Sequence, residues 1–413
     1  MSRTLATLPA GARITDFISL GVVAKTFPAE NIHAALVATG KQSVRQRELP
    51  AQVVVLYVVA LSLYMGSSYR EVLRCLLEGV RWLMKPSAAA AIKVIGHSAI
   101  SQARTRLGWE PIRQLHDELV NPVAVAKTKG AWYRGWRLVS IDGSTLDVAD
   151  EKCNNEAFGR PGSSRGKSAY PKIRFVSLVE NGTHVLFGSR MADYSTSETA
   201  LAKSVLPNLR KGMLCLADRG FFGFELWRQA AATGADLLWR VKKDMVLPCD
   251  KSLPDGSYLS RIYATQQDRK RDRSGVVVRV IDYRLEDVEG AEPSYRLITT
   301  ILDHELAPAT ELAALYHERW EIETAFDELK SHLRGAQIVL RSKTPDLVRQ
   351  EFYGLLLAHF AVRNLMHDAA LSSDEDPDRL SFLHAVRVVR RKVPASGAIP
   401  PSELEGVPGS GPG

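Results

Sequence analysis

The sequence predicts an α/β protein in which a helical N-terminal region precedes a mixed sheet, with a β-rich insertion placed late in the sheet-forming part. Three observations lead there. Apolar residues recur at helical spacing up to about residue 130, and the period changes to two from Trp136. Strand and helix patterns then alternate until a further run of strand formers between Asp244 and Asp303.

Taken in order, Ile32–Val37, Val53–Leu63 and Tyr69–Leu77 carry helical apolar spacing between Pro and Gly breaks. The most apolar run, Ala51–Gly66, is shorter than the roughly 20 residues a membrane span needs, so it reads as a buried core helix. Ser98 is placed to cap a helix that stops at Gly108, and Pro111 opens another through Leu119. Gln102, Arg104 and Arg106 are expected on an exposed face that could touch DNA, as in a helix-turn-helix; an ordinary helical pair with a solvated basic face fits the spacing equally well. WRLVSIDGSTLDV is a strand, and Asn181-Gly182 between two alternating runs predicts a hairpin with a two-residue type I′ turn. A helix over Glu198–Leu209, a buried strand MLCLAD, a helix over Phe224–Thr233 and a strand DLLWRVKK follow. One long helix is expected from Pro308 to Leu333 and another over Leu347–His367, ahead of a basic helix candidate and a Pro/Gly/Ser tail. The expected divisions are 1–130, 131–243, 244–304, 305–370 and 371–413.

With 413 residues the chain exceeds what one core usually organises, and its 45% apolar and 24% charged content is that of a folded globular protein. Lys and Arg outnumber Asp and Glu by 54 to 46, a net charge of +8 that favours a polyanionic partner. Cys75, Cys153, Cys215 and Cys249 have neither zinc-ligand nor disulfide-framework spacing, which fits a reducing cytosol. The opening residues lack the apolar stretch of a secretory signal, so a cytoplasmic location is expected. GSSRGKS at Gly162–Ser168 has one residue too few between its glycines for a P-loop, and no nucleotide cofactor is expected.

Asp142 inside an apolar strand and Asp218 at the end of another are costly to bury unless paired or bound to a metal. Asp218 before Arg-Gly also has the pattern of a turn residue. On a regular helix Tyr316, Arg319, Glu323 and Lys330 fall within an arc of roughly 60°, a stripe suited to following a DNA backbone or to ordinary i,i+4 pairing. Glu318, Glu321 and Glu328 are expected on the solvated side, and Trp320 is expected to be buried beside the stripe. Asp327 also lies near the stripe, so spacing leaves open which carboxylate acts.

The run YHERWEIETAFDELK matches Y-x2-R-x3-E-x6-K, and with SIDGST and LADRGF it resembles bacterial insertion-sequence DDE transposases of the IS-four family. The similarity extends from about Thr15 to Met366. It implies a ribonuclease-H-like mixed-sheet core with the β-rich insertion before the last catalytic carboxylate, behind a helical DNA-binding N-terminal domain. Asp142, Asp218 and Glu323 would be the catalytic metal ligands for two Mg2+ ions, with Mn2+ as substitute. Tyr316, Arg319 and Lys330, and Arg240 with Lys242, would contact transposon-end DNA. Double-stranded DNA ends, target DNA and a homodimeric synaptic complex are the implied partners, with no membrane. The activity expected is cut-and-paste transposition; a catalytically silent DNA-binding relic and a nuclease that cuts without joining are the alternatives. The chemistry suits the residues, because magnesium prefers oxygen ligands and a phosphodiester needs cationic help at both the attacking and leaving oxygens.

Overall fold

The apolar spacing of the N-terminal third resolves into α1 (Ser19–Thr26), α2 (Ala29–Ala38), α3 (Ala51–Leu63), α4 (His97–Leu107) and α5 (Glu110–Leu119). The computed structural model describes residues 19–43, 49–74, 76, 96–163, 166–167, 169–284, 294–333 and 339–391; the predicted tail beyond 391 and the opening residues lie outside these. α3 is apolar on every side because it is enclosed by α1, α2, α4 and a long C-terminal helix. That helix crosses close enough for Gly354 to matter, since a Cβ there would meet Val58 Cγ1 at 2.7 Å. No described helix is long and apolar enough to cross a membrane. α4 starts after an extended Gly96 with no side-chain cap, so Ser98 lies inside the first turn and is not the cap predicted for it. The stop at Gly108, with φ 73°, and Pro111 in the first turn of α5 are as read.

Period-two alternation from Trp136 produces β1 (Trp136–Asp147), β2 (Lys172–Glu180) and β3 (Val185–Asp193), followed by β4 (Met213–Ala217) and β5 (Asp236–Val241). Their spatial order is 3-2-1-4-5. β1, β2 and β3 are antiparallel, while β4 and β5 run parallel to β1, which is the ribonuclease-H-like arrangement within a mixed α/β fold. α6 (Glu198–Ala202) follows β3, and α7 (Phe224–Ala232) connects β4 to β5.

The insertion supplies β6 (Lys251–Ser252), β7 (Tyr258–Ile262), β8 (Val276–Tyr283) and β9 (Tyr295–Thr299). β9 pairs antiparallel with β5, and β8, β7 and β6 continue outward, so the insertion extends the same sheet and covers the exposed edge of β5.

Two predicted details differ. The β2–β3 hairpin closes over four residues, Asn181–His184, instead of a two-residue turn: Glu180 pairs with Val185, and Gly182 and His184 both have positive φ. Tertiary bonds shape it, since Ser140 Oγ donates to Asn181 Oδ1 at 3.0 Å and Asn181 Nδ2 to the Glu318 carbonyl at 2.8 Å. The long helix from 308 to 333 is also not uniform. It is α8 (Ala309–Leu315), a 3₁₀ turn Tyr316–Arg319, α9 (Trp320–Asp327) and a π-helical stretch Glu328–Leu333. After it come α10 (Pro345–Ser373) and α11 (Phe382–Arg391).

Alternation along β1, β4 and β5 divides their side chains between two cores. Leu138, Leu214, Leu216 and Leu238 pack with Leu312 and Tyr316 on one face. Val139, Ile141, Cys215, Ala217, Leu237 and Trp239 belong to the larger core on the other, which runs on into α1, α3 and α10.

Candidate active site

Strand register brings the first two acids together. β1 and β4 pair in parallel with Ile141 opposite Ala217, so Asp142 and Asp218 are the next residues along, side by side on neighbouring strands spaced about 5 Å apart. β4 and β5 pair with Ala217 opposite Trp239, which puts Arg240 in the same row beyond Asp218. This row lies at the rim of the face that Leu312 and Tyr316 cover. Asp218 Oδ1 accepts the Gly220 N–H at 2.8 Å, so the turn reading holds for that oxygen. The Arg240 guanidinium stacks on Tyr295 at 4.6 Å, and Lys242 is exposed just past the strand.

The helix after the insertion closes the site from above. Tyr316 is 6% exposed and donates to the Ala217 carbonyl at 3.3 Å, so it braces the strand end that carries Asp218. Arg319 bridges two acids, with Nη1 3.5 Å from Asp142 Oδ2 and Nη2 3.2 Å from Glu323 Oε1. Lys330 Nζ donates to Ser144 Oγ at 2.9 Å, two residues past Asp142 on β1. Across the 3₁₀ turn and π-helix, Tyr316, Arg319 and Lys330 reach the strands directly, and Glu323 is joined to them through Arg319; local π geometry recurs at functional sites.

Several expectations are corrected. Arg104 is buried, donating to Gln350 Oε1 at 2.8 Å and Ser342 Oγ at 3.0 Å, so it ties α4 to α10 and is not available to DNA; Gln102 and Arg106 are exposed. Trp320, expected to be buried, is 59% exposed. Of the three glutamates expected in solvent, only Glu318 is exposed. Glu328 is buried and bound by Arg363, with Nε 2.8 Å from Oε2, and it also faces His184 Nδ1 at 3.3 Å and His359 Nε2 at 3.4 Å. Burial alone would raise its carboxyl, but His184, His359 and Arg363 together hold it well below the usual range.

Sequence reasoning missed Glu198, at the start of α6. A Cβ on Gly143 would lie 2.6 Å from its Cγ and Cδ, so the glycine beside Asp142 lets a fourth carboxylate pack against β1, on the face opposite the Asp142 side chain but near enough to act on it electrostatically. The signal available was that glycine inside a strand, which often marks a close approach.

Burial pushes the Asp142 carboxyl up to about 6; the Gly143 N–H and Arg319 offset this in part, and Asp218 and Glu198 push it further. A buried acid among other acids, with one guanidinium for compensation, is electrostatically short of positive charge. Asp142, Asp218 and Glu323 offer the hard oxygen donors that a divalent cation such as magnesium takes, so the donor set fits the group the sequence implied; their ligand oxygens do not all lie within 4.8 Å of one another, and Arg319 stands between Asp142 and Glu323.

Comparison with known proteins identifies the family. A family model described as the insertion element 4 transposase N-terminal region matches residues 17–117, and one described as a transposase DDE domain matches residues 134–361. The transposase InsG for insertion sequence element IS4 of Escherichia coli K12 is 28% identical over 88% of this chain and 80% of its own length. The putative transposase InsZ of the same strain is 28% identical over 54% of this chain and 71% of its own. A piggyBac transposase synaptic complex with hairpin DNA aligns over 91% of this chain and 79% of that one at 12% identity, with a TM-score of 0.45, below the level at which structural kinship follows. Two family models in tandem, the second over more than half of the sequence, place this chain in the IS4-type DDE transposase family.

Proposed function

We propose that the chain binds the terminal inverted repeats of an insertion sequence in the bacterial cytoplasm and catalyses metal-dependent phosphodiester cleavage and strand transfer, working as a homodimer on paired ends. The observation that carries this reading is the row of Asp142 within β1 and Asp218 at the end of the adjacent β4, joined to Glu323 through Arg319. Asp142, Asp218 and Glu323 are the residues to hold two magnesium ions, which when bound would activate the attacking oxygen and stabilise the leaving one. Arg319, freed from its bridging contacts by that charge, is placed to meet the scissile phosphate. Lys330, Arg240 and Lys242 add positive charge along the same rim. Tyr316 serves as a positioning residue, since its hydroxyl is spent on the Ala217 carbonyl. Gln102 and Arg106 on α4 form part of the end-binding surface.

The test is a cleavage and joining assay on duplexes bearing the inverted repeats that flank the gene. Asp142→Asn, Asp218→Asn and Glu323→Gln should each lose magnesium-dependent cleavage while still binding the ends. Full activity in any one of them would overturn the assignment, and cleavage without joining in the parent chain would make it a nuclease. Arg319→Ala should also reduce the salt dependence of end binding by about one unit of log–log slope.

A further inference from the structure

A second convergence of ligand-type side chains lies away from the catalytic row. His184 Nε2 is 3.2 Å from Asp378 Oδ1 and 3.9 Å from Glu321 Oε2, and one ligand atom from each residue lies within 4.8 Å of the other two. Three separate segments supply them: the β2–β3 loop, α9, and the 3₁₀ turn Pro377–Arg379 that follows α10. Glu321 and Glu323 are two residues apart, about 200° around a helix, so this group faces away from the strand acids.

Two observations point to a bound cation. His184 is 4% exposed, and its Nε2 makes no hydrogen bond although it is aimed between two carboxylates. Behind it, Nδ1 faces Glu328 Oε1 at 3.3 Å and also meets Arg363 Nη2, which can only donate; a metal at Nε2 would select the Nδ1–H tautomer directed at Glu328, the carboxylate-behind-imidazole arrangement, with Arg363 turned wholly onto Glu328. In that tautomer three acceptors converge. Arg363 touches both Nδ1 and Glu328, and its charge is taken up by the Glu328 carboxylate. The Gly182 N–H donates to Glu321 but supplies no charge.

We propose that His184, Glu321 and Asp378 form a structural site for a borderline first-row divalent cation, separate from the catalytic acids, that ties the hairpin loop and the chain after α10 to the catalytic helix. One imidazole nitrogen with two carboxylates suits zinc or manganese better than magnesium. Tetrahedral zinc holds its ligand atoms about 3.4 Å apart, so the 3.2 and 3.9 Å separations need small shifts and the Glu321–Asp378 pair, within 4.8 Å, must close by up to about 1.4 Å. Asp378 is exposed and leaves an entry path from solvent.

The test uses zinc ions and the full chain with Asp142→Asn, Asp218→Asn and Glu323→Gln combined, so that the catalytic acids take up no metal. Equilibrium dialysis should find one zinc per chain, and zinc should raise the melting temperature. Adding Asp378→Asn, a surface change that preserves shape, should weaken zinc binding at least about tenfold and remove the thermal shift, with the zinc-free melting temperature little changed. His184→Gln should do the same if it folds. Equal zinc uptake with and without Asp378→Asn would overturn the proposal. So would no uptake by the triple variant, in which case His184 is an imidazolium paired with Asp378.

Discussion

Glu323 and Glu328 are five residues apart on one helical segment and are treated in opposite ways. The Glu323 side chain is 45% exposed and meets Arg319 at 3.2 Å; that of Glu328 is 6% exposed and is enclosed by Arg363, His184 and His359. A carboxylate removed from water must be paired and hydrogen-bonded on the spot, whereas one at a rim can stay under-compensated and await a ligand. The same helix is thus anchored by one acid and presents another.

That contrast can be broken from either side. The largest effect belongs to the open face: Glu323→Gln should reduce cleavage to background while leaving thermal stability within about 0.5 kcal/mol of the parent, the usual range for surface substitutions. On the buried face, Arg363→Met leaves Glu328 without its guanidinium and should cost about 3–5 kcal/mol in denaturant unfolding. If Arg363→Met is instead neutral, the buried pair is not the anchor described here.

Asp142 sits between these extremes, and its stability effect depends on pH. Its folded carboxyl is near 6 against an ordinary 3.8, so the folded state keeps its proton longer than the unfolded chain does. The group costs nothing below about pH 4, and its penalty grows as pH rises through 6, reaching up to about 3 kcal/mol. Asp142→Asn should therefore match the parent at pH 4 and exceed it in stability at pH 8 in metal-free buffer. A gap of the opposite sign, or none, would show that Arg319 already compensates the charge.

The smallest effects separate two arginines on α4. Arg104→Ala should cost about 1.5–3 kcal/mol of stability through its lost bonds to Gln350 and Ser342. Arg106→Ala should leave stability alone and lower the salt slope of DNA binding by about one. Swapped outcomes would reverse their roles.

The open site was more legible in the sequence than the buried one. Asp142 and Asp218 stand out because an acid in an apolar strand contradicts its surroundings, and Tyr316, Arg319, Glu323 and Lys330 share one short segment. Glu328 gave no such sign, because the residues that bury it are remote: His184 is 144 positions away. Arg104 likewise depends on Gln350, 246 positions on. The Trp320 and Glu321 readings assumed one regular helix, and the chain there uses a 3₁₀ turn and a π-helical stretch instead. β1 to β3 followed from alternation and β4 and β5 from short apolar runs, whereas the pairing of the insertion with β5 is a long-range choice that period two cannot specify.

The account turns on whether Asp142, Asp218 and Glu323 share divalent ions. Crystals of the chain with a transposon-end duplex, grown with Mn2+ and examined by anomalous scattering, address this directly. Manganese peaks in contact with all three carboxylates, with Arg319 moved onto the DNA backbone, are the predicted result. Manganese elsewhere, with Arg319 still bridging Asp142 and Glu323 beside bound DNA, would contradict it.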